Sequence, residues 1–226
     1  GCAGDRWISV RSAPKTPLGE RLNITRWGGP EPSERTTTVL RRYSLQEKFD
    51  REPDAALGDL HGWIAKDSSP DTVYVFAEAA YLTGQQIERK NPESALDYYC
   101  AAVTHAYLYL FDPRYSLQRN PYDPQYRAAC DLYNGSLESA LRIWQKDGGM
   151  RPEHTVRTAR QLWDIEVVTR SGRWCVDDFQ DFKFVSDYEV KGISQRYETF
   201  GLGVPLIGVR KPPSYAGPAD KFYPPV

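Results

Sequence analysis

Between Pro53 and Trp144 the apolar residues recur at helical spacing. After Pro53 and Asp54, a plausible helix start, Ala56, Leu57, Leu60 and Ile64 fall at i, i+1, i+4 and i+8, so one face of the segment is predicted to be buried. Ser69 stands where a cap belongs and Pro70 where a first helical residue belongs; behind them Val73, Ala77, Ala80, Tyr81, Gly84 and Ile87 mark a stripe. Asn91, Pro92 and Glu93 repeat the device before Ala95, Leu96, Tyr99, Ala102, Val103, Ala106 and Leu110. After the proline-punctuated DPRYSLQRNPYDP, a third helix is predicted through Tyr126, Ala129, Cys130, Tyr133, Leu137, Ala140, Leu141 and Trp144, ended by KDGG.

The flanks read differently. From Arg11 to Ser33 the chain is rich in Pro, Gly and charge and predicts an extended arm, with Leu22, Ile24 and Trp27 available to dock it. Beyond the charged segment from Met150 to Arg160, LWDIEVVTR, FKFVSDYEVKGI and VPLIGVR are enriched in Val, Ile, Phe and Tyr and predict three strands. The tail KPPSYAGPADKFYPPV has five prolines in sixteen residues and does not pack as a helix. The expected fold class is therefore α+β: helical hairpins in 34–149, preceded by an arm in 1–33 and followed by a small antiparallel sheet and Pro-rich tail in 150–226.

Composition narrows the function. The 226 residues carry 29 basic and 30 acidic side chains for a formal charge of -1, leaving no surplus of positive charge for a nucleic acid. No run approaches the ~18 apolar residues of a bilayer-spanning helix. With 15 Tyr and 6 Trp against one Met, the core is expected to carry hydrogen bonds at its margins, because each of these rings keeps a polar atom.

Chemistry is sparse. There is no G-x-S-x-G, and Ser136 falls inside the third helical pattern, its hydroxyl expected to face a neighbouring turn or solvent. His61, His105 and His154 are scattered, without a local carboxylate or serine that builds a triad. Cys100, Cys130 and Cys175 are far apart, with no C-x-x-C or H-x-x-x-H, so neither metal nor cofactor is expected. In a hairpin about residues 112–124, Cys100 and Cys130 are offset by roughly 9 Å along the axis, beyond the ~7 Å that a disulfide spans. Both are expected as free, buried thiols. The triplet Asn134-Gly135-Ser136 fits a glycosylation acceptor, GLGVP is turn chemistry, and Asp177, Asp178 and Asp181 read as a solvated turn.

Three resemblances add to this. Gly1-Cys2 resembles the end of a bacterial lipoprotein box, followed by the polar arm that a tether requires; the resemblance implies acyl chains on Cys2, export and membrane anchoring, with Ala3 in place of an aspartate favouring the outer membrane. Leu82, Ala95, Tyr99 and Ala102 resemble one tetratricopeptide repeat of about 34 residues, with Ala79 where a tryptophan is expected. ACDLYNGSLESAL and FKFVSDYEVKGISQRYETFGLGVPLIGVR resemble the N-terminal region of large bacterial α/β-hydrolase-like proteins, the likeness carried by Asp131, Leu132, Tyr133, Asn134 and by Gly201, Leu202, Gly203, Val204, Pro205 and Leu206. In that family the nucleophile elbow and catalytic histidine would lie beyond Val226, so no catalytic residue is assigned.

The reading that results is a non-catalytic, lipid-anchored helical scaffold of a cell-envelope protein, binding a polypeptide partner or a C-terminal catalytic domain. The expected contacts are Tyr81, Tyr99 and Tyr133 in the groove between the three helices, with core packing the default for each aromatic. The rivals are the N-terminal part of a serine esterase or lipase, and a structural subunit of an envelope assembly.

Overall fold

A computed structural model of the chain describes residues 8–10, 25–26, 29–66, 68–146, 153–157, 162–166, 175–190 and 201–211. Six helices occupy the centre of the sequence: α1 (Glu34–Arg42), α2 (Gln46–Arg51), α3 (Pro53–Lys66), α4 (Pro70–Ile87), α5 (Pro92–Phe111) and α6 (Pro124–Lys146). Eight short strands flank them: β1 (Ile8–Val10), β2 (Thr25–Arg26), β3 (Gly29–Pro30), β4 (Glu153–Arg157), β5 (Leu162–Glu166), β6 (Phe179–Phe184), β7 (Tyr188–Val190) and β8 (Leu206–Arg210). The class is α+β.

The helix starts follow from their caps. Ser69 Oγ accepts from Thr72 N while Thr72 Oγ1 accepts from Ser69 N, a reciprocal capping box with Pro70 in the first turn. Asn91 Oδ1 accepts from Ser94 N at 3.1 Å ahead of Pro92. A third cap, Ser33 on α1, accepts from Thr36 N at 3.3 Å.

Helix α4 is not a one-sided stripe. Every residue from Thr72 to Gly84 is buried, because α1, α3, α5 and α6 all pack around it. Antiparallel packing against α5 brings Tyr74 to Tyr109, Phe76 to His105 and Tyr81 to Tyr99, with ring centroids 5.7, 4.0 and 5.7 Å apart. Close approach depends on Gly84: a Cβ there would lie 2.8 Å from Tyr99 Cε1. Glycine facing an aromatic ring lets the two backbones come together.

The strands do not join into one sheet as the three predicted runs imply; they form four separate antiparallel pairs, β1–β7, β2–β3, β4–β5 and β6–β8. The charged segment read from 150 to 160 holds β4, whose register with β5 runs from Glu153↔Glu166 to Arg157↔Leu162. A strand of the predicted arm, β1, pairs with β7 (Ile8↔Val190 to Val10↔Tyr188), so the arm meets the strands of the far segment. In β6–β8 the pairing runs from Phe179↔Arg210 to Phe184↔Leu206 with an irregularity between Phe179 and Asp181, and the Phe179 ring covers Gly208, where a Cβ would stand 2.7 Å from it.

Candidate functional site

The predicted tyrosines separate. Tyr81 and Tyr99 are wholly buried between α4 and α5, and neither ring offers a surface to an incoming chain. Their hydroxyls meet polar side chains at the end of α4 and on α6: Gln85 Nε2 donates to Tyr81 Oη at 2.6 Å, Tyr99 Oη donates to Glu88 Oε2 at 2.7 Å, and the Ser139 hydroxyl of α6 is within reach of both phenols, its one proton serving one of them at a time. Burial pushes both phenols above their ordinary range. Tyr133 is elsewhere, half-buried, with its ring 6.3 Å from Tyr107, which in turn lies 4.8 Å from Phe111. Tyr107 and Phe111 are exposed, so Tyr133 belongs to an aromatic patch on the outer face of α5 and α6. Cys2 lies outside the described residues.

Beside its apolar stripe, α6 carries a polar one: Asn134, Glu138, Arg142 and Gln145, at i, i+4, i+8 and i+11. Each reaches across to the β segments. The Asn134 amide spans the turn before β8, donating Nδ2 to Gly201 O at 3.0 Å and accepting from Gly203 N at 2.7 Å. Gly203 has φ +124°, a conformation that suits glycine. The Arg142 guanidinium donates to Glu138 (2.7 Å), Ser186 Oγ (2.8 Å) and Asp187 Oδ1 (2.8 Å), with its centre 4.1 Å from the Phe184 ring centroid. Ser186 Oγ closes the network by donating to Glu138 Oε1 at 2.6 Å. Gln145 Nε2 donates to Asp181 Oδ1 at 2.6 Å and to the Phe182 carbonyl. One helix face thus holds the turn before β8, the helical turn that carries Ser186 and Asp187, and strand β6. Its period is visible in the sequence; the partners, some 36 to 69 residues away, are not.

A second polar centre lies at the other end of the bundle. Glu78, fully buried in α4, accepts from Ser33 N (2.5 Å), Ser33 Oγ (2.9 Å) and Thr36 Oγ1 (2.9 Å), and from the Tyr74 hydroxyl. Burial pushes its carboxyl up, and these donors draw it back only in part. The effect is to pin the start of α1 onto α4. A lone acid in the apolar run VYVFAEAAYL was the available signal.

Near this centre, the N-terminal ends of α4 and α6 enclose a cavity of about 220 Å³. Arg35, Asp71, Tyr109, Asn120, Asp123 and Gln125 contribute to its wall. Arg35 bridges the two acids, with Nη2 3.0 Å from Asp71 Oδ1 and Nη1 3.1 Å from Asp123 Oδ2. Gln125 is 6% exposed, and its Nε2 has no hydrogen-bond partner among the described residues. None of these residues stands out in the sequence, because they come from α1, α4, α5, α6 and the loop between α5 and α6.

Cys100 and Cys130 are free thiols; Cys100 is buried, its thiol pushed up to about 12, whereas Cys130 is only half-buried rather than buried as expected. Cys175 is exposed and free. Ser136 is fully buried, so its hydroxyl does not face solvent, and Oγ has no hydrogen-bond partner among the described residues. His105 is buried against Phe76 and donates Nδ1–H to the Ala101 carbonyl at 2.8 Å; burial lowers it to about 4. His61 is exposed, its ring 6.3 Å from that of His105; the side chain of His154 lies outside the described residues. Asp178 accepts from Cys175 N, and Asp181 is engaged by Gln145 and Lys183. Among the described residues no group of three or more His, Cys, Asp and Glu could hold a metal ion, and no helix is long and apolar enough to cross a membrane.

Set against known protein families, characterised proteins and solved structures, the chain finds no match.

Proposed function

We propose that this chain is a non-catalytic scaffold of the cell envelope, exported and anchored through acyl chains on Cys2, whose tetratricopeptide-like helical body holds polypeptide. The observation that carries the reading is the polar face of α6, where Asn134, Arg142 and Gln145 grip backbone and side chains of the β6–β8 region instead of lining a reaction centre. Carbonyl and amide contacts of the Asn134 kind hold a chain through its backbone, with little regard to its side chains, as a scaffold requires. The anchor is supported by Gly1-Cys2 and the polar arm after it.

The test has two arms. Intact mass of the native protein is expected to show diacylglycerol and a further acyl chain on Cys2, and Cys2→Ser is expected to move the protein from the membrane to the soluble fraction. The doubly substituted Asn134→Ala, Arg142→Ala protein is expected to keep its helical circular dichroism while β6 and β8 lose amide protection. A Cys2→Ser protein that stays with the membrane sinks the anchor; unchanged protection in the double variant sinks the role given to α6.

One observation favours a second reading, the N-terminal part of a serine esterase or lipase. Asn134 touches Gly201 and Gly203, bringing together the two stretches that carry the hydrolase resemblance. A fluorophosphonate probe that labels the native gene product and blocks ester hydrolysis would support it over the scaffold.

A further inference from the structure

We infer that the aromatic patch on the outer face of α5 and α6 is a docking surface for proline-rich polypeptide, and that its occupant is this chain's own segment 212–226. Three rings stand in a row on that face. Tyr107 lies 4.8 Å from Phe111 and 6.3 Å from Tyr133, and the rings of each pair are tilted by 43°, so their faces diverge instead of stacking shut. Tyr107 is 52% exposed and Phe111 44%. Phe111 has no polar atom to keep in water, and covering it is favoured by the apolar area withdrawn.

The chemistry of the face selects the kind of partner. A proline ring presents an apolar surface that packs on aromatic rings, and a proline-rich chain is already extended, so it loses little entropy on docking. Its carbonyls have no partners within the chain; the hydroxyls of Tyr107 and Tyr133 are of the kind that donates to them. A nucleic acid also stacks on rings, but it needs a positive groove, and the formal charge of the chain is -1.

Position and length select the segment. Residues 212–226 lie outside the described residues; their sequence, PPSYAGPADKFYPPV, has five prolines. They follow β8, whose end is held beside β6 by Lys211 N donating to Asp178 O at 2.9 Å. Gln145 of α6 in turn holds β6 at Asp181 and Phe182, so the segment sets out close to the C-terminal end of α6. Tyr133 is twelve residues back along the same helix, roughly 18 Å at 1.5 Å per residue. Fifteen residues at ~3.1 Å each reach about 45 Å, enough to cross Tyr133, Tyr107 and Phe111. The patch is also adjacent in angle: Tyr133 precedes Asn134, so it stands about 100° round α6 from the side chain that grips the turn before β8. Tethering brings such a segment to about millimolar local concentration, at which even a weak contact is occupied.

The inference does not rest on the scaffold reading or on the anchor. Its test is photo-cross-linking of the full 226-residue chain with p-benzoylphenylalanine in place of Tyr107 and, in a second protein, of Phe111, two exposed positions outside the core. Cross-linked peptides are mapped by mass spectrometry. The expected product is a cross-link within one molecule to residues 212–226. Pro212→Gly, Pro213→Gly, Pro224→Gly and Pro225→Gly together are expected to lower its yield roughly fivefold or more, with helical circular dichroism unchanged. Cross-links between two molecules would put a second copy on the face. That result, capture of another part of the chain outside the patch, no cross-link from either position, or a yield indifferent to the glycine substitutions overturns the inference.

Discussion

The helical body and the β segments of this chain are held together by different forces. Helices α1 to α6 share one continuous core, with Leu40, Leu60, Tyr81, Tyr99 and Leu132 fully enclosed. Among the described residues after Lys146, the only buried hydrophobic side chains are Val176 and Phe184. Two-stranded ribbons of this kind are marginal alone, and those that meet α6 depend on its directed polar contacts. Apolar burial tolerates many arrangements of similar volume, whereas a hydrogen-bonded clamp works in one geometry. The body should therefore respond to substitutions as a cooperative whole, and the β segments locally.

Four substitutions test that contrast, beginning with the largest effect. Glu78→Ala removes the acceptor shared by Ser33, Thr36 and Tyr74 inside the core; we expect a loss of about 4 kcal/mol from the stranded donors and the vacated space, read as a lowered denaturant midpoint for the helices. A midpoint within experimental error of the parent would mean that the α1 start is not part of the cooperative unit.

His105 supplies a pH-dependent test. Its folded value, lowered to about 4 by burial, lies below the ordinary value near 6.5, so the unfolded chain takes the proton first. The stability it contributes is intact above about pH 6.5 and is lost as pH falls toward 4, up to about 3 kcal/mol across that window. His105→Gln, which can still donate to the Ala101 carbonyl, should flatten this part of the stability profile. Equal acid limbs in the two proteins would contradict the buried neutral imidazole.

Gly84→Ala sets helix propensity against packing. Alanine favours an isolated helix by about 1 kcal/mol, yet its Cβ would stand 2.8 Å from the Tyr99 ring, which is fully buried and anchored to Glu88. We expect packing to dominate, with a net loss of about 2 kcal/mol that is smaller when Tyr99→Leu is also present. A stabilised Gly84→Ala protein would show that the α4–α5 approach is looser than described.

The smallest effect on the whole molecule is expected from Arg142→Met, about 1 kcal/mol, because this side chain joins Glu138 and Phe184 to Ser186 and Asp187 without lying in the central core. Hydrogen exchange should locate the change in β6 and β7 with α4 and α5 unaffected. Uniform acceleration across the helices would remove the distinction between the two regions.

Particular residues show how far the sequence could be read. Ser69-Pro70 and Asn91-Pro92 announce two helices, because a cap and a first-turn proline act on backbone atoms three residues away. Ser33, which caps α1, carries the same kind of local signal, but it lies in a segment whose prolines and glycines read as an arm. The tyrosines show the limit: Tyr81, Tyr99 and Tyr133 all fall on helical faces, yet only packing decides that the first two are enclosed and the third faces outward with Tyr107. Gln125 carried no signal, since an amide becomes notable only when its surroundings leave it unmatched.

Order along the chain was sufficient for the α+β class, the positions of the long helices and the free state of Cys100 and Cys130, all of which rest on interactions over a few residues or on simple axial spacing. Folding alone brings Ser33 to Glu78, Arg35 to Asp71 and Asp123, Asn134 to Gly203, and β1 to β7. These contacts join residues from 36 to about 180 positions apart, and no local period encodes a partner at that distance. Which polar side chains become clamps, and which are left unmatched inside, is settled when the helices close on one another and water is withdrawn from the groups between them.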